Sequence, residues 1–139
     1  MSGLAGLLAG HHPPGVYQWH AAFGPDDVRH TVEHAGARFA YVDGWTHQDR
    51  SEVLAAFEEA LGLADGVADF DALGARLGDR LGEDTHLVLL WDGWGPLARS
   101  DPKAFDEAAG VLAGRAAQGA VSVLLRGEGP EVEVPSLDG

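Results

Sequence analysis

The chain has 139 residues, 45% hydrophobic and 22% charged, the proportions of one folded domain with room for an appended element rather than of a disordered polypeptide. Its 22 Asp and Glu against 9 Lys and Arg leave a formal net charge of −13. That charge repels phosphate backbones and anionic membranes, so basic partners are expected and nucleic acid or membrane is not, although solubility alone is a plainer use for it. The absence of cysteine removes disulfides, thiolate catalysis and zinc–thiolate sites, and it fits a reducing compartment.

Residues Met1–Gly10 are small and apolar, with no Lys or Arg before them and His11, His12, Pro13 and Pro14 after them. They read as a frayed terminus or a short helix rather than a signal peptide, and no stretch has the length of a membrane span. Val16–Trp19 is short, aromatic and alternating, a weak strand or a packed extended arm. Gly24-Pro25-Asp26-Asp27 opens a helix, with proline at the first helical position and acids at the positive end of the dipole. Val28, Val32 and Ala35 form its apolar face, and Gly36 stops it.

Arg38–Val42 reads as a strand closed by Asp43-Gly44. Asp49-Arg50-Ser51-Glu52 has the form of a capping box for the next helix, whose stripe is Val53, Leu54, Phe57 and Leu61 and whose stop is Gly62. After a loop at 64–68, a further helix carries Phe70, Leu73, Leu77 and Leu81 on one face and Asp71, Gly74, Ala75 and Gly78 on the other. Glycine costs a helix about 1 kcal/mol relative to alanine, so small residues there either admit another surface or mark a poor helix. His86–Trp91 is a continuous apolar run, as in a strand buried on both faces. Asp92–Pro96 turns sharply, and Ser100-Asp101-Pro102 starts the last helix, with Phe105, Ala109, Leu112 and Ala116 inward and Gly119 as the stop. Val121–Leu125 is a third apolar strand. In the acidic tail from Gly127, Val132 and Val134 alternate with glutamates, a pattern open to a short edge strand or to disorder. Helical crossovers between apolar strands predict an α/β fold with a three-stranded parallel sheet of Phe39–Val42, His86–Trp91 and Val121–Leu125. The expected organisation is an N-terminal extension with one helix over 1–37, a core domain over 38–126 and a tail over 127–139.

Motifs of catalysis are missing. There is no phosphate loop of the G-x-x-x-x-G-K-[ST] type, no G-x-G-x-x-G after a strand and no G-x-S-x-G, although the chain has 20 glycines. Ser51, Ser100 and Ser122 fall at helix starts or in a strand. His30 and His34 share a helix face but lack the glutamate and third ligand of a zinc protease, so they read as a surface pair. The acids Asp65, Asp69, Asp71, Asp79, Glu83 and Asp84 suggest an interaction surface more than paired-carboxylate hydrolysis, and a helix cap accounts for Asp69 or Asp71 without any function. Trp45 and Trp94 follow strand ends, the edge where parallel sheets bind ligands, and both are expected to cap the core. No enzyme activity, metal or cofactor is expected.

The run Phe39–Leu125 resembles the barstar family. The resemblance rests on Phe39-Ala40-Tyr41-Val42-Asp43-Gly44, on the helix ending Ala60-Leu61-Gly62-Leu63, on Asp69-Phe70-Asp71-Ala72-Leu73, and on Leu87–Asp92 followed by a long helix and the last strand. Pro13-Pro14-Gly15-Val16-Tyr17 and Asp92–Ala98 are similar to longer, actinobacterial-type members. The resemblance implies a cytoplasmic inhibitor of a small secreted guanyl-specific ribonuclease, barnase-like and basic, whose active site is plugged by an acidic helix and the loop before it. The partner-binding set it implies is Asp65, Gly66, Asp69, Asp71, Gly74, Ala75, Gly78 and Asp79, centred on Asp71. The family's second aspartate falls on Ala75, its intervening tryptophan on Gly74, its paired loop tyrosines near Gly66-Val67, and its late acid near Gly114-Arg115. The same fold serving a partner that is not a ribonuclease is the alternative.

Overall fold

The computed structural model describes residues 2–46, 49–62, 69–80, 86–119 and 121–137. In chain order the elements are α1 (Ser2–Leu8), β1 (Val16–Trp19), α2 (Pro25–His34), β2 (Arg38–Asp43), α3 (Arg50–Leu61), α4 (Phe70–Arg80), β3 (Leu87–Asp92), α5 (Gly95–Ser100), α6 (Pro102–Ala117), β4 (Val121–Arg126) and β5 (Ser136–Leu137). The local signals act where they were read. Pro25 opens α2, Asp49 caps α3 by accepting from the Glu52 N–H at 2.8 Å, and Asp101 caps α6 through the Ala104 N–H at 3.1 Å. Gly62 ends α3 with φ 68°, a left-handed conformation that costs glycine little.

The three predicted strands pair in parallel as expected, but the sheet has five strands, in the order β2-β3-β4-β1-β5. The expectation of three strands is corrected by two additions from outside the apolar runs. β1 joins β4 in parallel, Val16 opposite Val123 and Gln18 opposite Leu125, so the aromatic arm is an interior strand. β5 adds to β1 at Gln18–Ser136 and Trp19–Leu137, so the tail's strand forms after Val132 and Val134 rather than at them. Those two valines are partly buried on the core instead.

Alternation along the strands divides the core. Ala40, Val42, Leu87, Leu89, Trp91, Val121, Val123 and Leu125 pack under α3, α4, α5 and α6. Phe39, Val88, Leu90, Leu124, Tyr17 and Trp19 pack on the other face with Leu4 and Leu7 of α1 and Val28 and Val32 of α2. Ala35, expected in the α2 stripe, is the exposed C-cap residue. Of Asp92–Pro96, expected to turn, Gly95 and Pro96 instead open the short helix α5, which buries Leu97 and Ala98. Trp91 is fully buried among Phe57 and Phe105, with ring centroids 5.1 and 5.6 Å away.

Candidate functional site

α4 begins at Phe70 because Asp69 accepts a hydrogen bond from the Ala72 N–H at 2.8 Å. Phe70, Leu73 and Leu77 are buried against the sheet side, at 1%, 1% and 2% exposure. This anchors the helix and leaves Asp71 and Ala75, one turn apart, exposed on the outer side. The cap and the outward acid are therefore different residues, Asp69 and Asp71.

Gly74 was expected to face outward with them and does not. It is buried, and a Cβ there would lie 2.5 Å from Val111 Cγ1 of α6. The surface that its missing side chain admits is thus α6 of the same chain. The close approach leaves an open groove of about 490 Å³ between α4 and α6. One wall carries Asp71 and Ala75 and the other Asp106 and Glu107, with Gly110 and Gly114 along α6 and Arg115 and Gln118 at the far end. A Cβ at Gly110 or Gly114 would meet nothing within 4 Å, so these two glycines lower the groove rather than pack it. Glu107 is paired with Arg50, whose guanidinium lies 5.6 Å from the centre of the Phe70 ring. Arg115 is tied to Gln118 at 2.9 Å.

Of the other residues placed in the site, Gly78 and Asp79 lie on α4, with side chains outside the described residues. Asp65 and Gly66, like Leu81, Glu83 and Asp84, lie outside the described residues. Sequence reading did not single out Asp106 and Glu107. Their signal was present in the four-residue spacing of Asp106, Gly110 and Gly114, which puts an acid and two open positions on one helix face.

The carboxyl edge of the sheet has a different character. Arg126, at the end of β4, donates to both Asp92 carboxylate oxygens, from Nε at 3.2 Å and from Nη2 at 2.9 Å. Its Nη1 donates to the carbonyls of Ala21 and Phe23 in the loop after β1, and its guanidinium lies 5.7 Å from the centre of the Trp19 ring. The Asp92 and Arg126 side chains are only 14% and 13% exposed. The Tyr41 hydroxyl lies 3.4 Å from Asp92, and burial first, then the Asp92 and Asp43 carboxylates, pushes its pKa up. Trp94 is buried and caps the core, as expected, but Trp45 is 48% exposed. Its ring lies over Gly93 and Gly127, where added Cβ atoms would come within 2.7 and 2.9 Å of it.

His30 and His34 stack on α2 with ring centroids 6.1 Å apart. No cluster of three or more metal-binding side chains occurs among the described residues. Among the described residues, no helix is long and apolar enough to cross a membrane.

The architecture is that of a parallel α/β protein with helices on both faces and an acidic groove on one of them. The chain belongs to the barstar family: the family described as Barstar (barnase inhibitor) matches residues 37–132, which include both walls of the groove. No curated protein matched the chain. Among solved structures it is similar to the ORC2 protein of Aeropyrum pernix in ADPNP–ADP complexes, with 17% identity and a TM-score of 0.61 over 91% of this chain and 38% of that one. It is similar also to Drosophila ORC bound to DNA, with 14% identity and a TM-score of 0.66 over 91% of this chain and 37% of that one. Cdc6p from Pyrobaculum aerophilum gives 13% identity and a TM-score of 0.51, over 90% and 37% of the two chains. These likenesses concern the fold alone, and the chain spans little more than a third of those longer chains.

Proposed function

We propose that this protein is a cytoplasmic inhibitor of a small, basic, guanyl-specific ribonuclease, with no catalytic chemistry of its own. It blocks the nuclease active site with the head of α4 and the groove beside it. The observation that carries the reading is the groove itself: Asp71 on one wall, Asp106 and Glu107 on the other, and glycines along α6. Carboxylates at such a rim stand in for substrate phosphates against arginine, lysine and histidine, and the low floor lets a partner backbone descend between them. The net charge of −13 steers a basic enzyme toward this surface. Where the family's second aspartate is replaced by Ala75, the acids of α6 supply negative charge from the opposite wall.

The test is inhibition of a basic guanyl-specific ribonuclease by the purified protein. Inhibition at equimolar concentration is expected, with association slowing as salt rises, because charge attraction is screened beyond about 10 Å at 0.1 M. Asp71→Ala should weaken the complex by about 2 kcal/mol or more, chiefly through the partner cation left unpaired. Its effect on folding stability should stay within about 0.5 kcal/mol, since Asp71 is exposed and is not the cap. Unchanged affinity in Asp71→Ala would remove Asp71 from the interface.

A second reading, a partner that is basic but not a ribonuclease, is favoured by one observation: Gly74, where the family has a bulky aromatic, is used for packing α4 on α6. Failure to inhibit any basic guanyl-specific ribonuclease at excess would leave this second reading standing.

A further inference from the structure

The path of the chain through the sheet makes a second site. From β1 the chain crosses to the far edge strand β2, then returns stepwise through β3 to β4, which lies beside β1. A right-handed crossover puts its helix on one face when the chain moves one way and on the opposite face when it moves back. Accordingly α2, which follows β1, packs on one face, while Val132 and Val134, in the segment after β4, pack on the other. Neighbouring strands whose onward connections leave on opposite faces open a crevice at their carboxyl ends, where open parallel sheets bind ligands.

The crevice is present here, with a volume of about 500 Å³, within the range of roughly 300–1,000 Å³ typical of small-molecule sites. Gln18 and His20 border it from the end of β1, Arg126 and Glu128 from the end of β4, and Trp94 and Arg99 from the segment after β3. Gly129 keeps it open beside Trp94, whose ring an added Cβ would meet at 2.6 Å. In a chain with only 9 Lys and Arg, two arginines line this one cavity, one of them paired with Asp92. Arg126 is fixed by Asp92 and two carbonyls, which occupy four of its five N–H groups. Arg99 is exposed and has no ion pair among the described residues. Gln18 donates to the Val134 carbonyl at 3.4 Å, which leaves its amide oxygen and second N–H.

We propose that this crevice binds a small molecule bearing a phosphate or carboxylate group, with Arg99 as the principal contact and the remaining N–H of Arg126 as a fixed second donor. The site is not a phosphate loop. The loop after β1 turns the carbonyls of Ala21 and Phe23 to Arg126, so its backbone presents acceptors at that point, and side chains recognise the anion. Glu128 is the one acid among the residues that line the crevice and weakens binding.

The experiment is a titration of the full chain with inorganic phosphate and, separately, with succinate, at constant ionic strength, followed by backbone amide NMR shifts. Saturable shifts confined to Gln18, His20, Gly127 and Gly129 are expected for at least one probe, and the stronger probe tells phosphate from carboxylate. Arg99→Ala should weaken binding roughly tenfold, the usual loss of a charge-assisted hydrogen bond. Glu128→Gln should strengthen it. Both residues are exposed, so both variants fold. Shifts that do not saturate with either probe, that spread over every basic residue, or that persist in Arg99→Ala would overturn the proposal. Ribonuclease inhibition is read on the other surface, so neither result depends on the other.

Discussion

The groove between α4 and α6 and the crevice at the carboxyl edge have nearly equal volumes, about 490 and 500 Å³, and opposite construction. The groove is made by two helices that expose acids at helical spacing, and it rests on packing that tolerates one position poorly and its neighbours well. The crevice is made by strand ends brought together over more than 100 residues and pinned by one guanidinium. A surface of the first kind changes its partner by substituting exposed side chains. A surface of the second kind cannot be altered at its centre without disturbing the fold. Three sets of substitutions test this difference, and a fourth tests the response to pH.

The largest effect should come from Arg126→Ala. It strands Asp92 and two loop carbonyls at once, and removing one partner of a largely buried pair costs about 3–5 kcal/mol. Denaturant unfolding should show that loss, with Asp92→Asn added to Arg126→Ala recovering part of it. A loss below about 1 kcal/mol would mean that solvent replaces the pair, and the contrast between the two surfaces would fail.

Next come the glycines of the groove, taken as a pair. Gly74→Ala forces a methyl group to 2.5 Å from Val111 Cγ1. Overpacking of about 1–3 kcal/mol should outweigh the helix-propensity gain of about 1 kcal/mol. Gly110→Ala meets open space and should stabilise by up to about 1 kcal/mol while raising the groove floor under any partner. Thermal unfolding should therefore move in opposite directions for the two. A similar sign for both would deny that Gly74 is there for α6.

Asp69→Ala should cost about 1 kcal/mol, the usual value of a helix cap. Measured beside Asp71→Ala, it separates the residue that starts α4 from the residue that faces a partner. If Asp71→Ala destabilises as much, the two roles are not divided.

The smallest effect concerns pH. His86 Nε2 lies 2.9 Å from the buried Ser122 hydroxyl, and burial pushes the His86 pKa below its ordinary value of 6.5. The unfolded chain then binds this proton more readily than the folded one. Stability is lost as pH falls below 6.5, and the loss levels off once pH drops under the folded-state value. Unfolding at pH 7.5 and 5.5 should show a smaller acid loss in His86→Gln than in the parent chain. Equal losses would remove His86 as a cause.

Sequence by itself determined what depends on neighbours within a few turns. The helix starts at Pro25, Asp49 and Asp101, the stop at Gly62, the leucine stripe of α4 and the three apolar strands all follow from capping, backbone freedom and periodicity. The outward position of Asp71 follows from the same stripe. What only the tertiary structure decided depends on which segments meet. β1 is too short to announce an interior strand, and it becomes one because β4 offers its edge to Val16–Gln18. β5 has two residues and no pattern of its own. Gly74 cannot declare from its helix position whether a partner or α6 fills its space, since either leaves the same one-turn spacing. Asp92 and Arg126 are 34 residues apart, and nothing local marks them as a pair. Parallel pairing brings the ends of β3 and β4 side by side, with Asp92 opposite Arg126, and there the charges meet largely out of water.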